Sequence, residues 1–509
     1  MTKRNGCEAL LVLLLLWTTA IGVNAQTFTS LLSFSGPDGE APVGSLVQGA
    51  DGSFYGTTLY GGANSFGEYC SYGCGTVFKI DAAGTLTTLY NFCAQPDCRD
   101  GGAPTGLVLG FDGNFYGTTE GGGTLDGGTA FRITPGGVLT KIYNFCKQRP
   151  CPDGEEPTAP LAEGPDGGLY GTSVGGGAYE NGVVFELKPS GNGWTEAVLY
   201  SFCHLPHCAD GSGPIGGLVL GPDGNFYGTT QGGGTASGSN CGVQQYGCGT
   251  VFKVTPTGTL TTLHSFCLSP SCPDGAFPED GLVQALDGNF YGTTPAFGVN
   301  GGGTFWGTVF RITRNGELVT TYNFCTQPNC ADGISPSGLM QATDGNLYGT
   351  TTGGGDISCQ VDGCGTLFEI TAPKGKLITL HDFEYTDGYF AVGALLQATT
   401  GNFYGTTLYG GEGTCGQYSC GTAFSLSMGL GPFVAFVRPF GKVGQTGGIL
   451  GQGFTGTTSV MLNGVPANFT VVSDTYIKAT VPPGATTGDV TVTTPTGVLT
   501  SNVPFRVIH

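Results

Sequence analysis

Cysteine is the residue whose spacing in this sequence most directly suggests chemistry. Apart from Cys7, the cysteines fall into close pairs along the whole repetitive part of the chain. Such pairs can form disulfides in an oxidising compartment, or they can supply thiolate ligands to a metal such as zinc. Because no second pair follows at zinc-finger spacing and histidines number only 5, the spacing favours disulfides. The predicted pairs are Cys70/Cys74, Cys93/Cys98, Cys146/Cys151, Cys203/Cys208, Cys241/Cys248, Cys267/Cys272, Cys325/Cys330, Cys359/Cys364 and Cys415/Cys420.

Asp-Gly dipeptides are the second pattern, and they occur in two series, which suggest either calcium sites or turns. Calcium prefers carboxylate and carbonyl oxygens. Aspartate also accepts backbone hydrogen bonds in turns, where glycine supplies positive φ. Since no Asp-x-Asp-x-Asp run is present, we predict turns and no cofactor, with calcium as the remaining alternative. The second series is Asp38, Asp100, Asp153, Asp210, Asp274, Asp332 and Asp387.

A third group of carboxylates interrupts the regularity of the sequence and could act in catalysis. Two facing carboxylates can cleave a glycosidic bond, which would suit a polysaccharide hydrolase or lyase. No nucleophile elbow or Ser/His/Asp arrangement stands out. We therefore favour solvated loop side chains and predict no catalytic residue. The candidates for the enzymatic alternative are Glu155, Glu156, Glu163, Glu279, Asp280 and Glu412.

A repeated phrase must position all these residues. Asp-Gly followed by Asn-Phe-Tyr-Gly-Thr-Thr, or a close variant, occurs seven times at intervals of 54 to 64 residues. Each repeat contains four strand-like runs separated by glycine-containing turns, without helical periodicity, and this pattern predicts the blade of a β-propeller. His264 and His381 occupy a position where other repeats carry tyrosine, which we interpret as packing or as a position at the blade-edge surface. The copies start at Asp51, Asp112, Asp166, Asp223, Asp287, Asp344 and Gly401.

Incomplete repeats at the two ends of this region predict that the ring closes. Residues 28–34 resemble only the fourth run of a repeat, and residues 421–427 are a third run without a fourth. The N-terminal strand would complete the last blade, giving seven four-stranded blades. A linear β-solenoid would not explain this complementarity. The predicted fold is all-β: a seven-bladed propeller over 26–427, a linker over 428–432, and an immunoglobulin-like β-sandwich over 433–509, where short strands alternate with Gly and Pro.

Strand alternation assigns the loops to opposite faces of the predicted ring. Joints between the first and second and between the third and fourth strands are short, and they form the short-loop face. The remaining joints form the long-loop face, which carries every cysteine pair and the variable insertions. Function commonly resides in variable loops on a rigid scaffold, so we expect a ligand at the long-loop face. Loop aromatics suited to stacking on sugar rings are Tyr69, Tyr72, Tyr246, Phe305, Trp306 and Tyr418.

The N-terminus and the charge balance predict an exported protein. Lys3 and Arg4 precede an apolar stretch, and small residues follow before Gln26, so residues 1–25 read as a signal peptide. The net charge is −19, with 18 Lys+Arg against 37 Asp+Glu, which argues against nucleic acid and anionic membranes as partners. We expect a monomer that does not insert into the membrane after signal removal. We expect it to be secreted or periplasmic, and association with the cell surface is compatible with either location.

Two resemblances extend these expectations. The phrase Asn-Phe-Tyr-Gly-Thr-Thr with Gly-Thr-Val-Phe-Lys-Ile resembles the GloVer (Gloeo/Verruco) tandem repeat of exported bacterial proteins, over roughly 27–427. Gly451-Gln452-Gly453-Phe454 and Val481-Pro482 resemble an IPT/TIG immunoglobulin-like domain. The first resemblance implies no biochemical activity, and the second implies a spacer or an interaction module. Three functions remain: non-catalytic binding or adhesion to polysaccharide or protein, a polysaccharide hydrolase or lyase, and a structural spacer.

Overall fold

The structure, a computed structural model, describes residues 26–508 except 68–69, 192, 236–240, 242–246, 300–305, 356–358, 360–361, 373–374, 414 and 416–418. The predicted signal peptide lies outside the described residues. So do four of the predicted ligand-face aromatics, namely Tyr69, Tyr246, Phe305 and Tyr418. Over the part of the chain that is described, no helix has the length and apolar character needed to cross a membrane.

The first four units of the propeller follow the strand order predicted from the repeat. The chain begins with β1 (Thr27–Ser33), which belongs to the last blade. Blade 1 consists of β2 (Glu40–Gln48), β3 (Phe54–Tyr60), β4 (Thr76–Ile80) and β5 (Leu86–Asn91). Blade 2 consists of β6 (Gly102–Leu109), β7 (Phe115–Gly121), β8 (Thr129–Ile133) and β9 (Leu139–Asn144). Blade 3 consists of β10 (Ala162–Glu163), β11 (Leu169–Ser173), β12 (Val183–Ser190) and β13 (Gly193–Ser201). Blade 4 consists of β14 (Val219–Leu220), β15 (Phe226–Thr230), β16 (Thr250–Val254) and β17 (Leu260–Ser265).

The remaining blades complete a ring of seven antiparallel sheets among the described residues. Blade 5 consists of β18 (Val283–Gln284), β19 (Phe290–Thr294), β20 (Thr308–Ile312) and β21 (Leu318–Asn323). Blade 6 consists of β22 (Ile334–Gln341), β23 (Leu347–Gly353), β24 (Thr366–Thr371) and β25 (Lys376–Asp382). Blade 7 consists of β26 (Tyr389–Ala391), β27 (Leu396–Gln397), β28 (Phe403–Tyr409), β29 (Thr422–Ser427) and β1. Short 3₁₀ turns occur at Pro96–Cys98, Pro206–Cys208 and Pro328–Cys330.

The ring closes as the incomplete end repeats predict. Strand β1 pairs antiparallel with β29, from Thr27 opposite Ser427 to Ser33 opposite Thr422. Between the first and last blades, the rings of Phe54 and Tyr404 lie 4.0 Å apart. The predicted seven-bladed propeller with an N-terminal closing strand is therefore confirmed.

The recurring phrase is explained by what each of its residues contacts. The tyrosine packs on the phenylalanine of the next blade, as Tyr55 does on Phe115 with ring centroids 4.1 Å apart, while its hydroxyl donates to Asp51 (2.9 Å). Glycine follows because a Cβ at Gly56 would lie 2.5 Å from a ring atom of Phe78. The final threonine hydroxyl bonds to the threonine that begins the third strand. The same hydroxyl pair occurs as Thr58–Thr76, Thr119–Thr129, Thr230–Thr250, Thr294–Thr308, Thr351–Thr366 and Thr407–Thr422.

The second Asp-Gly series forms turns, and its carboxylates accept hydrogen bonds from backbone and side chains. Asp100 accepts from the Tyr90 hydroxyl (2.7 Å) and from the N–H groups of Ala94 and Gln95. In blade 4, His264 Nε2 lies 2.8 Å from Asp274 at the position of that tyrosine. Tyrosine and histidine therefore alternate at this position because each donates a hydrogen bond to the aspartate of the Asp-Gly turn that follows it. The two interpretations from the sequence, packing or a blade-edge position, do not include this hydrogen bond.

Eight of the nine predicted cysteine pairs are disulfides in the structure. The exception is Cys70/Cys74, whose buried thiols are free. Each cysteine is held by its own turn, since Cys70 N–H bonds Phe66 and Cys74 N–H bonds Asn64. The two sulfurs and that of Cys93 lie within 4.8 Å of one another. The joined pairs are Cys93–Cys98, Cys146–Cys151, Cys203–Cys208, Cys241–Cys248, Cys267–Cys272, Cys325–Cys330, Cys359–Cys364 and Cys415–Cys420.

The C-terminal region folds as the predicted β-sandwich. Its first sheet contains β30 (Ala435–Phe436), β32 (Thr446–Leu450), β35 (Phe469–Ser473) and β36 (Tyr476–Thr480). Its second contains β33 (Ser459–Leu462), β34 (Val465–Pro466), β37 (Val490–Thr494) and β38 (Gly497–Thr500). A parallel pair joins β31 (Phe440–Lys442) to β39 (Arg506–Ile508). Phe454, Val460, Ile477 and Val492 lie in the apolar core between the sheets.

Candidate functional site

The C-terminal domain covers the short-loop face of the propeller. Thr475 Oγ1 donates to the carbonyl of Ala50 in the first hairpin of blade 1 (2.7 Å). Arg506 Nη1 donates to the carbonyl of Gly221 in blade 4 (2.7 Å), and Gln452 Nε2 donates to Thr399 in blade 7 (2.9 Å). Blades 1 and 4 lie on opposite sides of a seven-membered ring. The domain therefore lies across the end of the central channel.

A buried ion pair anchors this contact. Arg438 Nη1 lies 3.4 Å from Glu163 Oε1, and the two side chains are 9% and 10% exposed. The Arg438 guanidinium also stands over the rings of Phe111 and Phe440, at 5.5 and 5.1 Å. Burial raises the pKa of Glu163, and Arg438 opposes that rise. Glu163, a candidate for catalysis from the sequence, thus belongs to the domain interface.

The opposite end of the channel is a wide funnel that opens at the long-loop face. Its cavity volume is about 1210 Å³, and residues of the innermost strands and adjoining loops of all seven blades form its wall. Small and aliphatic residues dominate, with the carboxylates Glu120, Glu180, Glu279 and Asp280 among them. No lysine or arginine lines it within the described part of the chain. The funnel is therefore an acidic concavity.

Asp280 has a structural explanation within the funnel. Its Oδ2 accepts the backbone N–H of Gly338 in blade 6 (2.9 Å) and the Thr293 hydroxyl (3.5 Å). In neighbouring blades the corresponding threonine donates to a carbonyl of the next blade, as Thr229 does to Asp280 O (2.9 Å). Blade 6 is one residue shorter here than blade 5. The carboxylate of Asp280 therefore occupies the place of the missing carbonyl, and surrounding protein raises its pKa.

Glu279, the neighbour of Asp280, faces the open funnel. It is solvent-exposed, and Gln231 Nε2 donates to its Oε1 (2.7 Å). The funnel walls raise its pKa, the Gln231 hydrogen bond lowers it, and Asp280 raises it further. The Asp280 carboxylate accepts hydrogen bonds from blades 5 and 6. Glu279 and Asp280 are therefore not two free carboxylates that face a substrate together.

A second set of carboxylates belongs to blades 2 and 3, and Glu120 among them lines the funnel. Burial raises the pKa of Glu120, and the charge of Glu156 raises it further. Burial likewise raises the pKa of Glu156, with Glu155 and Asp126 adding to the rise and Arg149 opposing it. Glu155 is paired with Arg149 at 2.6 Å, so part of its charge is compensated.

A group of aromatic rings, which we call the aromatic arc, lies at blades 7 and 1, and its member Phe390 lines the funnel. The arc comprises Tyr385, Tyr389, Phe390, Tyr409 and Tyr60. Tyr389 lies with its ring centroid 6.3 Å from Tyr385, 5.9 Å from Phe390 and 6.0 Å from Tyr409. Tyr60 is 39% exposed, and burial together with the charge of Glu120 raises its pKa. The aromatic arc thus adjoins the acidic side of the mouth.

Sequence reasoning missed this arc, although a signal for it exists. At the position of Tyr60 and Tyr409, the other repeats carry Gly121, Gly175, Gly232, Ala296 and Gly353. Of the aromatics predicted from the loops, Tyr72 is 73% exposed and Trp306 is half-buried, and neither belongs to the aromatic arc. Glu412, another predicted carboxylate, is exposed in the loop of blade 7.

Comparison with known proteins agrees with this architecture. The model of the Gloeobacter/Verrucomicrobia repeat matches residues 68–306 and 238–419. The chain belongs to this repeat family. The IPT/TIG domain model matches residues 434–507. Comparison with curated proteins gives no match.

Solved structures resemble this chain at low sequence identity. A fungal alcohol oxidase of the AA5 family, in complex with copper, has a TM-score of 0.53 at 13% identity, covering 96% of this chain and 100% of the oxidase. A periplasmic gluconolactonase from Pseudomonas aeruginosa has a TM-score of 0.39 at 17% identity, covering 69% and 94%. The likeness to the oxidase includes the C-terminal domain and shows a common fold alone.

Proposed function

We propose that the protein is an exported, non-catalytic binding protein that takes polysaccharide at the long-loop mouth of the funnel. The observation that carries the proposal is the aromatic arc beside an open, acidic concavity. Aromatic faces stack on the apolar faces of sugar rings, and nearby polar groups accept their hydroxyl hydrogens. The eight disulfides fit an oxidising compartment outside the cytoplasm.

The coverage of the short-loop face supports the same location for the ligand. The C-terminal domain already occupies the hairpins of blades 1 and 4, so a large ligand meets the ring from the other side. Asp280 and Glu163, two of the carboxylates suggested for catalysis, are engaged in contacts between blades and between domains. These contacts favour binding over bond cleavage.

A hydrolase or lyase is the second candidate, favoured by Glu120 and Glu156. Their charges interact, and burial raises the pKa of both carboxyls. A raised pKa is a property of a carboxyl that donates a proton to a leaving group. A hydrolase or lyase would release oligosaccharide, which can be measured, whereas a binding protein would not.

The test uses oxidised protein comprising residues 26–509 and insoluble cellulose, xylan, chitin and chitosan. Protein in the pellet reports binding, and new oligosaccharide in the supernatant reports cleavage. The informative variant is Tyr60→Gly with Tyr409→Gly, which restores the glycine of four other blades. Tyr179→Ala is the matched control, since Tyr179 is an exposed tyrosine of blade 3 that contacts His204.

We expect at least one polymer to carry the protein into the pellet, and the double variant but not the control to abolish this. Equal binding by both variants would contradict the role of the arc. Released oligosaccharide would contradict the non-catalytic assignment, and no binding to any polymer would contradict a polysaccharide ligand.

A further inference from the structure

The aromatic arc and the carboxylates beside it impose different requirements on a ligand. The arc favours flat, weakly polar faces such as those of hexose rings. Glu40 stands directly opposite Tyr60 in the β2–β3 pairing, and Glu120 is close enough for its charge to act on the same phenol. A sugar ring that stacks on Tyr60 therefore places its substituents near the carboxylates of Glu40 and Glu120.

Glu120 and Glu156 form no ion pair among the described residues, although the charge of Arg149 reaches Glu156. Among the ion pairs of the described residues, Arg149 pairs with Glu155, and none involves Glu120 or Glu156. Burial and the charges of neighbouring carboxylates raise the pKa of both groups, a cost that a bound cation would relieve. No lysine or arginine lines the described part of the funnel, and the whole chain carries a net charge of −19.

The backbone at Glu156 has the same conformation as the corresponding residue of the other blades. The residue two positions after each Asp-Gly has a left-handed backbone, with φ of 56° at Ala41, 54° at Ala103, 57° at Glu156 and 64° at Phe390. This conformation lets its N–H bond the preceding blade, as Glu156 does with Gly127 O (3.0 Å). Compared with glutamate, glycine would form that hydrogen bond with less backbone strain, and alanine would form it with equal strain. The glutamate is therefore not required by the fold.

We propose that the long-loop mouth binds a chain of glucosamine rings, whose faces stack on the aromatic arc and whose ammonium groups meet Glu120 and Glu156. This inference rests on the proposed polysaccharide-binding function and specifies its ligand. A neutral hexose chain would use the arc and leave the carboxylates uncompensated. An anionic polysaccharide would be repelled by them. The amino sugar satisfies both parts of the mouth.

The experiment compares three soluble β-1,4-linked hexamers, of glucosamine, N-acetylglucosamine and glucose, by titration calorimetry at mildly acidic pH and low salt. We expect the glucosamine hexamer to bind about tenfold more tightly than the two neutral hexamers, as expected for two exposed charge pairs. Raising the salt concentration should reduce that preference.

Variants separate stacking from charge. Glu156→Ala, which installs the residue of blades 1 and 2, and Glu120→Gln should each reduce the preference for the glucosamine hexamer over the neutral hexamers about threefold. Tyr60→Gly with Tyr409→Gly should weaken all three ligands. Tyr179→Ala should change none, and unfolding measurements on every variant establish that it is folded.

The outcomes distinguish this inference from the proposed function. Equal or tighter binding of either neutral hexamer would overturn the glucosamine assignment and leave polysaccharide binding intact. A preference that the two carboxylate variants do not alter would overturn the role of Glu120 and Glu156. Failure of all three hexamers, while another insoluble polysaccharide still carries the protein into the pellet, would also overturn the glucosamine assignment. Failure with every polymer would overturn both proposals.

Discussion

The two faces of the propeller are built from the same repeats but differ in what their loops do. On the short-loop face, the Asp-Gly hairpins are nearly identical and the C-terminal domain packs across them through Thr475, Arg506 and Arg438. On the long-loop face, the joints vary from blade to blade and carry every disulfide. Regularity therefore accompanies a fixed internal interface, and variation accompanies the open mouth.

The largest expected effect comes from breaking the covered face. Arg438→Met should lower the free energy of unfolding by about 3 kcal/mol, because Glu163 remains buried without its cationic partner. Chemical denaturation would measure the loss, and proteolysis within 428–432 should become faster. Adding Glu163→Gln should restore part of the stability. Ligand binding by folded protein should not change, and a loss of binding would contradict the separation of the two faces.

A smaller effect should distinguish structural from ligand-facing carboxylates inside the funnel. Asp280→Gly installs the residue of three other blades but leaves the Gly338 N–H without its acceptor, which should cost about 2 kcal/mol. Glu279→Ile, which installs the residue of blade 4, should change stability by less than about 0.5 kcal/mol. Thermal and denaturant unfolding of the two variants would test this. If Asp280→Gly is as stable as the parent protein, the explanation that the Asp280 carboxylate replaces a missing carbonyl is contradicted.

The disulfides of the long-loop face should each contribute modestly, since they close short loops. Replacing Cys325 and Cys330 together by serine should cost at most about 2 kcal/mol, mainly through the entropy of the unfolded chain. Denaturation of the oxidised variant measures this cost. Hydrogen exchange should increase in the local loop and remain unchanged in the short-loop hairpins. An increase spread over both faces would show that the bridges hold the ring itself.

The smallest effect is predicted at the outer edge, away from both faces. Glu196 stands where Leu86, Leu139, Leu260, Leu318 and Leu377 occur in other blades. Burial, and then the charge of Asp153, raises the pKa of Glu196 to about 7, against hydrogen bonding from Tyr143 and the charge of Lys147. The native state then binds more protons than the unfolded state between 4.5 and about 7, so stability falls as pH rises through this window.

Because Glu196 is partly exposed, the fall should be about 1 kcal/mol. Glu196→Leu should remove it, and the difference in unfolding free energy between variant and parent should grow from pH 4.5 to pH 7. Denaturant titrations at both ends of the window would measure this. A difference independent of pH would contradict the raised pKa.

The regular part of the molecule was predictable from the sequence because each repeated residue has a repeated contact. The Phe-Tyr pair, the glycine beside Phe78 and the threonine pairs recur with the blades, and the half-repeats at the two ends predicted β1 pairing with β29. The donor role shared by Tyr90 and His264 required coordinates, because the sequence does not show which carboxylate each one reaches.

The candidate site was predictable only in its location. The long-loop face follows from strand alternation, but the aromatics predicted from the sequence lie in the loops, whereas Tyr60 and Tyr409 lie at the ends of β3 and β28. The contact of Arg438 with Glu163 joins residues 275 apart, and nothing in the repeat marks it. Cys70 and Cys74 show a further limit, because close spacing in sequence did not give a bond in the structure.

Hydrogen exchange with and without the glucosamine hexamer tests the central claim most directly, namely that the open face binds the ligand while the C-terminal domain seals the other. We predict slower exchange on binding in β3, in β26 and β28 around Tyr389 and Tyr409, and near Glu120, with no change in residues 433–508. Protection confined to the C-terminal domain or to the hairpins beneath it would contradict this account.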